Sequence, residues 1–229
     1  NKFVYSKIGV HDYSANLYHE YAHEWFANKV TNKDWAHMWI QEGITTYAEA
    51  LIHYELGGQA AYDEIINRHK RSTRNKKPMV GGEELSEDEA YAGRDIYAKG
   101  SYFMHSLRYV LGDEIFLPTL KKLATDPRYT YDNFVTTKDV EELFSTESKQ
   151  DLKPFFNFYV YTNEVLDVSV KEVGYQKYQI TVNNFFMPLP LDIGPADKTT
   201  RTMVGKEGIV VSSNGAPQVD PKGHYLKKI

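Results

Sequence analysis

Apolar positions recur at three- and four-residue intervals through the first two-thirds of the chain, and at two-residue intervals thereafter. The first pattern predicts a helix from about Ser14, a residue suited to an N-cap, to Val30. A second helix is expected from Trp35 to Leu56, stopped by Gly57-Gly58, and a third from Gln59 to about Arg71. Lys77-Pro78 and Gly81-Gly82 mark a loop, followed by an exposed acidic segment of Glu83, Glu84, Glu87, Asp88 and Glu89. Helices resume over Asp95–Leu111, Asp113–Thr125, Lys138–Thr146 and Asp151–Tyr161. From about Asn163 the period changes. Leu166, Val168 and Val170 alternate with polar neighbours, as do Tyr178, Ile180 and Val182, and prolines and glycines punctuate the remainder. The expectation is a mostly α chain: a helical lobe over 1–163, then a small antiparallel β module over 164–229 that carries no catalytic signature.

Composition narrows the function classes. With 229 residues, 41% hydrophobic and 25% charged, the chain can bury a core like an ordinary globular protein. A net charge of −4 without a basic stripe gives no reason to expect nucleic acid. The basic run from His69 to Lys77 reads as a solvated helix end and loop. No apolar run is long enough to span a bilayer. The lack of cysteine excludes disulfides, zinc-thiolate sites and thiol catalysis without assigning a compartment. The start at Asn1-Lys2-Phe3, with chemistry-bearing residues within the first twenty, reads as that of a fragment or processed piece.

The informative chemistry is His19-Glu20-Tyr21-Ala22-His23. A helix advances about 100° per residue, so residues four apart share a face and both imidazoles can reach one zinc ion. Glu20, between them, can act on a zinc-activated water. Such a motif arises by chance in roughly 2% of chains of this composition, so its context has to decide. Catalytic zinc takes three protein ligands and leaves one position open. The best third ligand is Glu42, nineteen residues after His23, far enough for one helix to end and a second to pass back. Thr46, Glu49 and His53 continue the Glu42 face, either as hydrogen-bonding supports for the ligands or as a polar stripe facing solvent. His11, His37, His69, His105 and His224 lack metal-spaced neighbours and read as surface or packed imidazoles. Tyr102, Phe103, Leu107, Tyr109 and Val110 read as the core face of their helix.

These residues together resemble the aminopeptidase N family of zinc metallopeptidases, the gluzincins. His19-Glu20-x-x-His23, eighteen intervening residues and Glu42 in a W-x-x-E-G setting match its pattern. Trp25-Phe26-Ala27-Asn28 and Val30-Thr31 stand where the family has W-F-G-N and V-T, and Tyr97-Ala98-Lys99-Gly100 resembles its Y-x-K-G. The resemblance covers roughly residues 10–160 and implies a thermolysin-like helical catalytic lobe followed by a sandwich-like β module. It implies one Zn2+ per chain bound by His19, His23 and Glu42, with Glu20 as general base. Tyr97 would donate to the developing oxyanion, with Tyr91 a nearby alternative and Lys99 a structural partner. Two family positions differ: Glu24 stands where the family often has Gln, pointing away from the metal, and Ala27 replaces a glycine. The family's G-x-M-E-N segment, whose Glu grips the free amine of the substrate, has no counterpart in the eighteen residues before His19. The implied activity is removal of N-terminal residues from peptides, with a missing N-terminal domain of the parent protein packing on the cleft. An endopeptidase or epoxide hydrolase using the same site, and an inactive scaffold of the same fold, remain alternatives.

Overall fold

A computed structural model of the chain describes residues 5–82, 85–195 and 197–229. Asn1-Lys2-Phe3, Glu83 and Glu84, named above, lie outside the described residues. About 43% of the described residues are helical, and the strands form small, mainly antiparallel sheets. A short hairpin, β1 (Ser6–Ile8) with β2 (His11–Tyr13), leads into helix α1 (Ala15–Ala22). Helix α2 (Trp39–Ser72) follows a single 3-10 turn at Trp35–His37, where the Ala36 amide donates to the Asp34 carboxylate at 2.9 Å. Gly58, at φ 68° and ψ −164°, breaks α2 where the glycine pair was expected to stop it. Next come α3 (Glu87–Tyr91), α4 (Ala98–Leu111), α5 (Asp113–Leu123), α6 (Thr137–Ser148) and α7 (Lys153–Val160). Glu87, Asp88 and Glu89 of the acidic segment are exposed. Among the described residues no helix is long and apolar enough to cross a membrane.

The predicted helix to Val30 is too long. Beyond Ala22 the backbone still coils, but amide bonds lengthen to five-residue spacing, Asn28 N to His23 O and Val30 N to Trp25 O. Side chains have taken the carbonyls that would extend the ladder: Phe26 O accepts from His23 Nδ1 and Thr45 Oγ1, and Ala27 O accepts from Thr31 Oγ1. Two more strands, β3 (Thr31–Asn32) and β4 (Phe134–Val135), pair in parallel and join the end of this segment to the approach to α6.

In the last third, β5 (Leu166–Gly174), β6 (Lys177–Val182) and β9 (Ile209–Ser212) form an antiparallel set, and β7 (Leu189–Ile193) pairs antiparallel with β8 (Thr200–Val204). The terminal β10 (Lys227–Lys228) runs parallel to β5, so this part is not wholly antiparallel as the alternation implied. Leu166, Val168, Ile180 and Val182 are buried, as their two-residue period requires. One apolar cluster unites these strands with the helices: Phe155 and Phe156 of α7 pack on Phe103 of α4 at 5.6 and 5.0 Å between ring centroids, and Phe155 also meets Phe185. Tyr102, Phe103 and Leu107 of α4 are buried, with Tyr109 and Val110 packed at the margin of the cluster.

Candidate metal centre

The centre is built by three segments: the last turn of α1, the first turns of α2, and the stretch from α3 to the start of α4. The approach of α2 to α4 depends on two glycines. A Cβ placed on Gly43 would lie 2.8 Å from the Gly100 Cα and from the Ile96 carbonyl oxygen. One placed on Gly100 would lie 2.7 Å from the Gly43 Cα. Backbone therefore meets backbone at this crossing, which sets Glu42, beside Gly43, against Tyr97, one turn before Gly100. Lys99 is fully buried next to the crossing, its Nζ donating to the Thr162 carbonyl at 2.9 Å, and burial lowers its pKa to about 8.

His19, His23 and Glu42 come together. One nitrogen or oxygen from each lies within 4.8 Å of the others. The Nε2 atoms of His19 and His23 each stand 3.4 Å from Glu42 Oε2. The outer nitrogens are tied down. His19 Nδ1 donates to Glu49 Oε1 at 2.8 Å, and His23 Nδ1 donates to the Phe26 carbonyl at 3.0 Å. A carbonyl can only accept, so His23 carries its proton on Nδ1 and turns the Nε2 lone pair inward; the Glu49 carboxylate imposes the same tautomer on His19. Three electron-rich atoms thus face one another, an arrangement that demands positive charge among them. Without a cation that charge has to be protons. Burial opposes it, but hydrogen bonds to Glu42 and Glu49 raise His19 to about 9. The bond to Glu42 likewise raises His23, while burial of Glu42 is overcome by the two imidazoles, which hold its carboxyl near about 2. Two imidazole nitrogens and one carboxylate oxygen are the donor set of an open catalytic zinc site, and these residues fit that ion.

The other candidates divide. Glu20 is exposed on α1, between the two histidines in sequence. The Tyr97 ring lies 6.0 Å from that of His19; burial, then the Glu42 and Tyr91 charges and hydrogen bonding to both, raises the Tyr97 hydroxyl pKa above the ordinary tyrosine value. Tyr91 makes the direct bond, its hydroxyl donating to Glu42 Oε1 at 3.2 Å, and burial with the Glu42 charge pushes its pKa up to about 12. Thr46, Glu49 and His53 are buried, not a solvent-facing stripe. Glu49 supports His19 as described, but Thr46 Oγ1 donates to the Glu42 backbone carbonyl at 2.7 Å, and His53 packs edge-on against Tyr13 at 4.6 Å without bonding a ligand. Glu24 is exposed and accepts from Asn28 at 3.3 Å. Sequence reasoning missed Tyr13, which donates to Glu49 Oε2 at 3.2 Å, and Thr45, whose hydroxyl lies 3.3 Å from His23 Nδ1. No spacing rule reveals Tyr13, since it reaches the site through the β1–β2 hairpin; Thr45 was findable as the residue three after Glu42.

The model of the Peptidase family M1 domain matches residues 9–159. The chain belongs to this family. Among its relatives, human aminopeptidase RNPEPL1 is 29% identical over 141 residues, 62% of this chain and 19% of the relative. A Deinococcus radiodurans M1 zinc metallopeptidase mutant, crystallised with a Tyr-Ser-Ala substrate, is 25% identical with a TM-score of 0.57, over 66% of this chain and 33% of that one. Legionella pneumophila aminopeptidase A in complex with aspartic acid shares the fold at 20% identity, with a TM-score of 0.74 over 94% of this chain and 27% of that one. The M1 chain thus spans about a fifth of the first relative's length and at most a third of the other two.

Proposed function

We propose that this chain carries the catalytic centre of a zinc-dependent aminopeptidase, with His19, His23 and Glu42 holding one zinc ion, Glu20 as general base and Tyr97 as oxyanion donor. The convergence of both Nε2 atoms on Glu42 Oε2, with both outer nitrogens tied, carries the reading. Membership of peptidase family M1 and relatives named as zinc metallopeptidases and aminopeptidases support it. On this reading residues 1–163 are the thermolysin-like catalytic lobe and 164–229 a sandwich-like structural module.

A zinc ion held here supplies Lewis acidity, bringing the pKa of a water down to about 7 and polarising the scissile carbonyl. The residues do the rest. Glu20 takes a proton from the attacking water at its carboxylate and returns it to the leaving amine, which general acid–base catalysis makes worth roughly 10²- to 10⁴-fold in rate. The Tyr97 hydroxyl donates a hydrogen bond to the carbonyl oxygen as negative charge grows there, a contribution of about 3 kcal/mol. Glu49 and the Phe26 carbonyl keep the imidazoles in the tautomer that presents Nε2. Preference for a free amine rests on the family, since no residue of this centre is positioned as an amine anchor by its own contacts.

Metal analysis with turnover of an aminoacyl anilide tests the reading. Glu20→Gln should keep one zinc per chain and lose at least about a hundredfold in kcat, and Glu42→Ala should lose zinc. Anilides blocked by N-acetylation should be resistant. Full zinc in Glu42→Ala would remove the third ligand, and equal turnover of acetylated substrate would make the enzyme an endopeptidase.

A further inference from the structure

Glu42 uses its two oxygens differently. Oε2 stands 3.4 Å from both imidazole nitrogens, whereas Oε1 accepts the Tyr91 hydroxyl at 3.2 Å. A carboxylate turns easily about its last torsion, because that rotation has broad, shallow wells. Held at Oε2 alone, the Glu42 carboxylate could swing its plane out of the cluster; held also at Oε1, it presents one oxygen in a fixed direction. The segment carrying Tyr91 is itself braced. A capping box between Ser86 and Glu89 closes α3, with Ser86 N donating to Glu89 Oε2 at 2.9 Å. Arg94 donates to the Glu89 carbonyl at 2.9 Å and to the Pro78 carbonyl at 3.1 Å, fastening α3 to the loop that follows α2. The Tyr91 ring stands 6.4 Å from that of Trp35, in the capped turn just before α2. Tyr91 is thereby supported from the same end of α2 that bears Glu42.

We propose that Tyr91 is the main positioning residue of the metal ligand Glu42, and that its neighbour Tyr97, although also within hydrogen-bonding reach of Glu42, turns to the substrate. The proposal rests on the zinc reading of the centre. It separates the two phenols by chemistry: one sets metal affinity and geometry, the other sets the rate of the chemical step.

Zinc affinity, measured by chelator competition on the full chain, and the visible absorption of the cobalt-substituted protein read the two roles without turnover. Tyr91→Phe keeps the ring against Trp35 and removes only the hydroxyl. It should weaken zinc binding about tenfold, the usual cost of losing a partner behind a ligand, and alter the cobalt spectrum. The metal-free melting temperature should stay at the wild-type value, which separates loss of positioning from loss of fold. Tyr97→Phe should change both metal readouts less than Tyr91→Phe does. Wild-type zinc affinity and cobalt spectrum in Tyr91→Phe would overturn the proposal, and so would an equal loss in Tyr97→Phe. A wild-type chain that binds no zinc would instead overturn the underlying reading, and the proposal with it.

Discussion

Each inward-facing nitrogen of the centre depends on what its ring does on the other side. His19 is held by Glu49, which in turn accepts from Tyr13, so a chain of two hydrogen bonds runs from the β1–β2 hairpin to a candidate ligand. Replacing Glu49 by alanine removes the acceptor that keeps His19 in the productive tautomer and leaves the Tyr13 hydroxyl unpaired in a buried position. Zinc affinity in Glu49→Ala should drop about tenfold to a hundredfold, read by chelator competition, with Glu49→Gln closer to wild type because its amide oxygen still accepts. At this scale the sequence was legible where helix geometry applies. Glu49 follows Glu42 by seven residues, two turns along the same face, and was found that way. Thr46 lies on that face too, yet its hydroxyl bends back to the Glu42 carbonyl, the local bond that serine and threonine make in helices. The sequence favoured Tyr97 over Tyr91 through its Tyr-x-Lys-Gly setting, but that Tyr91 bonds Glu42 Oε1 shows only in the structure.

Among elements, the contact between α2 and α4 governs the geometry, and Gly43 and Gly100 make it possible. Alanine at Gly100 meets the Gly43 backbone, which has no side chain to move aside, so the helices must separate. Gly100→Ala should cost about 1–3 kcal/mol, a fall of roughly 5 °C in melting temperature for a chain of this size. Turnover should fall further than stability accounts for, because Tyr97 moves with α4. Gly215→Ala, where an added Cβ meets nothing within 4 Å, should melt as wild type and serves as the control. Helix periodicity identified α2, α4 and the later helices because each buries a continuous stripe. It overran α1, where the His23 side chain and Thr45 claim the Phe26 carbonyl from across the site. It passed over α3, whose five residues are too few for a period to register, although Ser86-x-x-Glu89 is a legible capping box.

For the molecule as a whole, a second histidine cluster joins the helices to the C-terminal segment. His105 of α4 is bonded at Nδ1 to the Tyr62 hydroxyl at 2.8 Å, and its Nε2 lies 3.2 Å from His224 Nδ1. His224 stacks on Tyr109 at 3.8 Å, with its Nε2 3.7 Å from Asp192 of β7. His69 of α2 is buried as well, its Nδ1 2.8 Å from the Ser101 hydroxyl. Burial is the leading cause in all three: His69 is lowered to about 4 and His105 to about 3, and His224 is also lowered, with the nearby Asp220 and Asp192 partly opposing. The folded protein therefore keeps these rings neutral at a pH where the unfolded chain, at about 6.5, already binds protons. Stability from this source is complete above about pH 6.5 and is lost as pH falls toward 4. The candidate metal centre has the opposite sign without an ion. His19 and His23 are raised, so their contribution is complete below about pH 6.5; that of His19 is lost as pH rises through about 9, and that of His23 is lost in the same direction. Glu42, lowered to about 2, contributes stability that is complete above the ordinary carboxylate range and is lost as pH falls from there toward 2. Between about pH 5 and 6 the slope of stability in metal-free protein is therefore set mainly by the histidines that burial lowers, His37 and His53 among them. Denaturant unfolding across that window should show stability rising with pH, each neutral ring adding a slope approaching about 1.4 kcal/mol per pH unit. His105→Gln should flatten the slope by about that amount, and an unchanged slope would mean that His105 takes up its proton without unfolding the junction between α4 and the C-terminal segment.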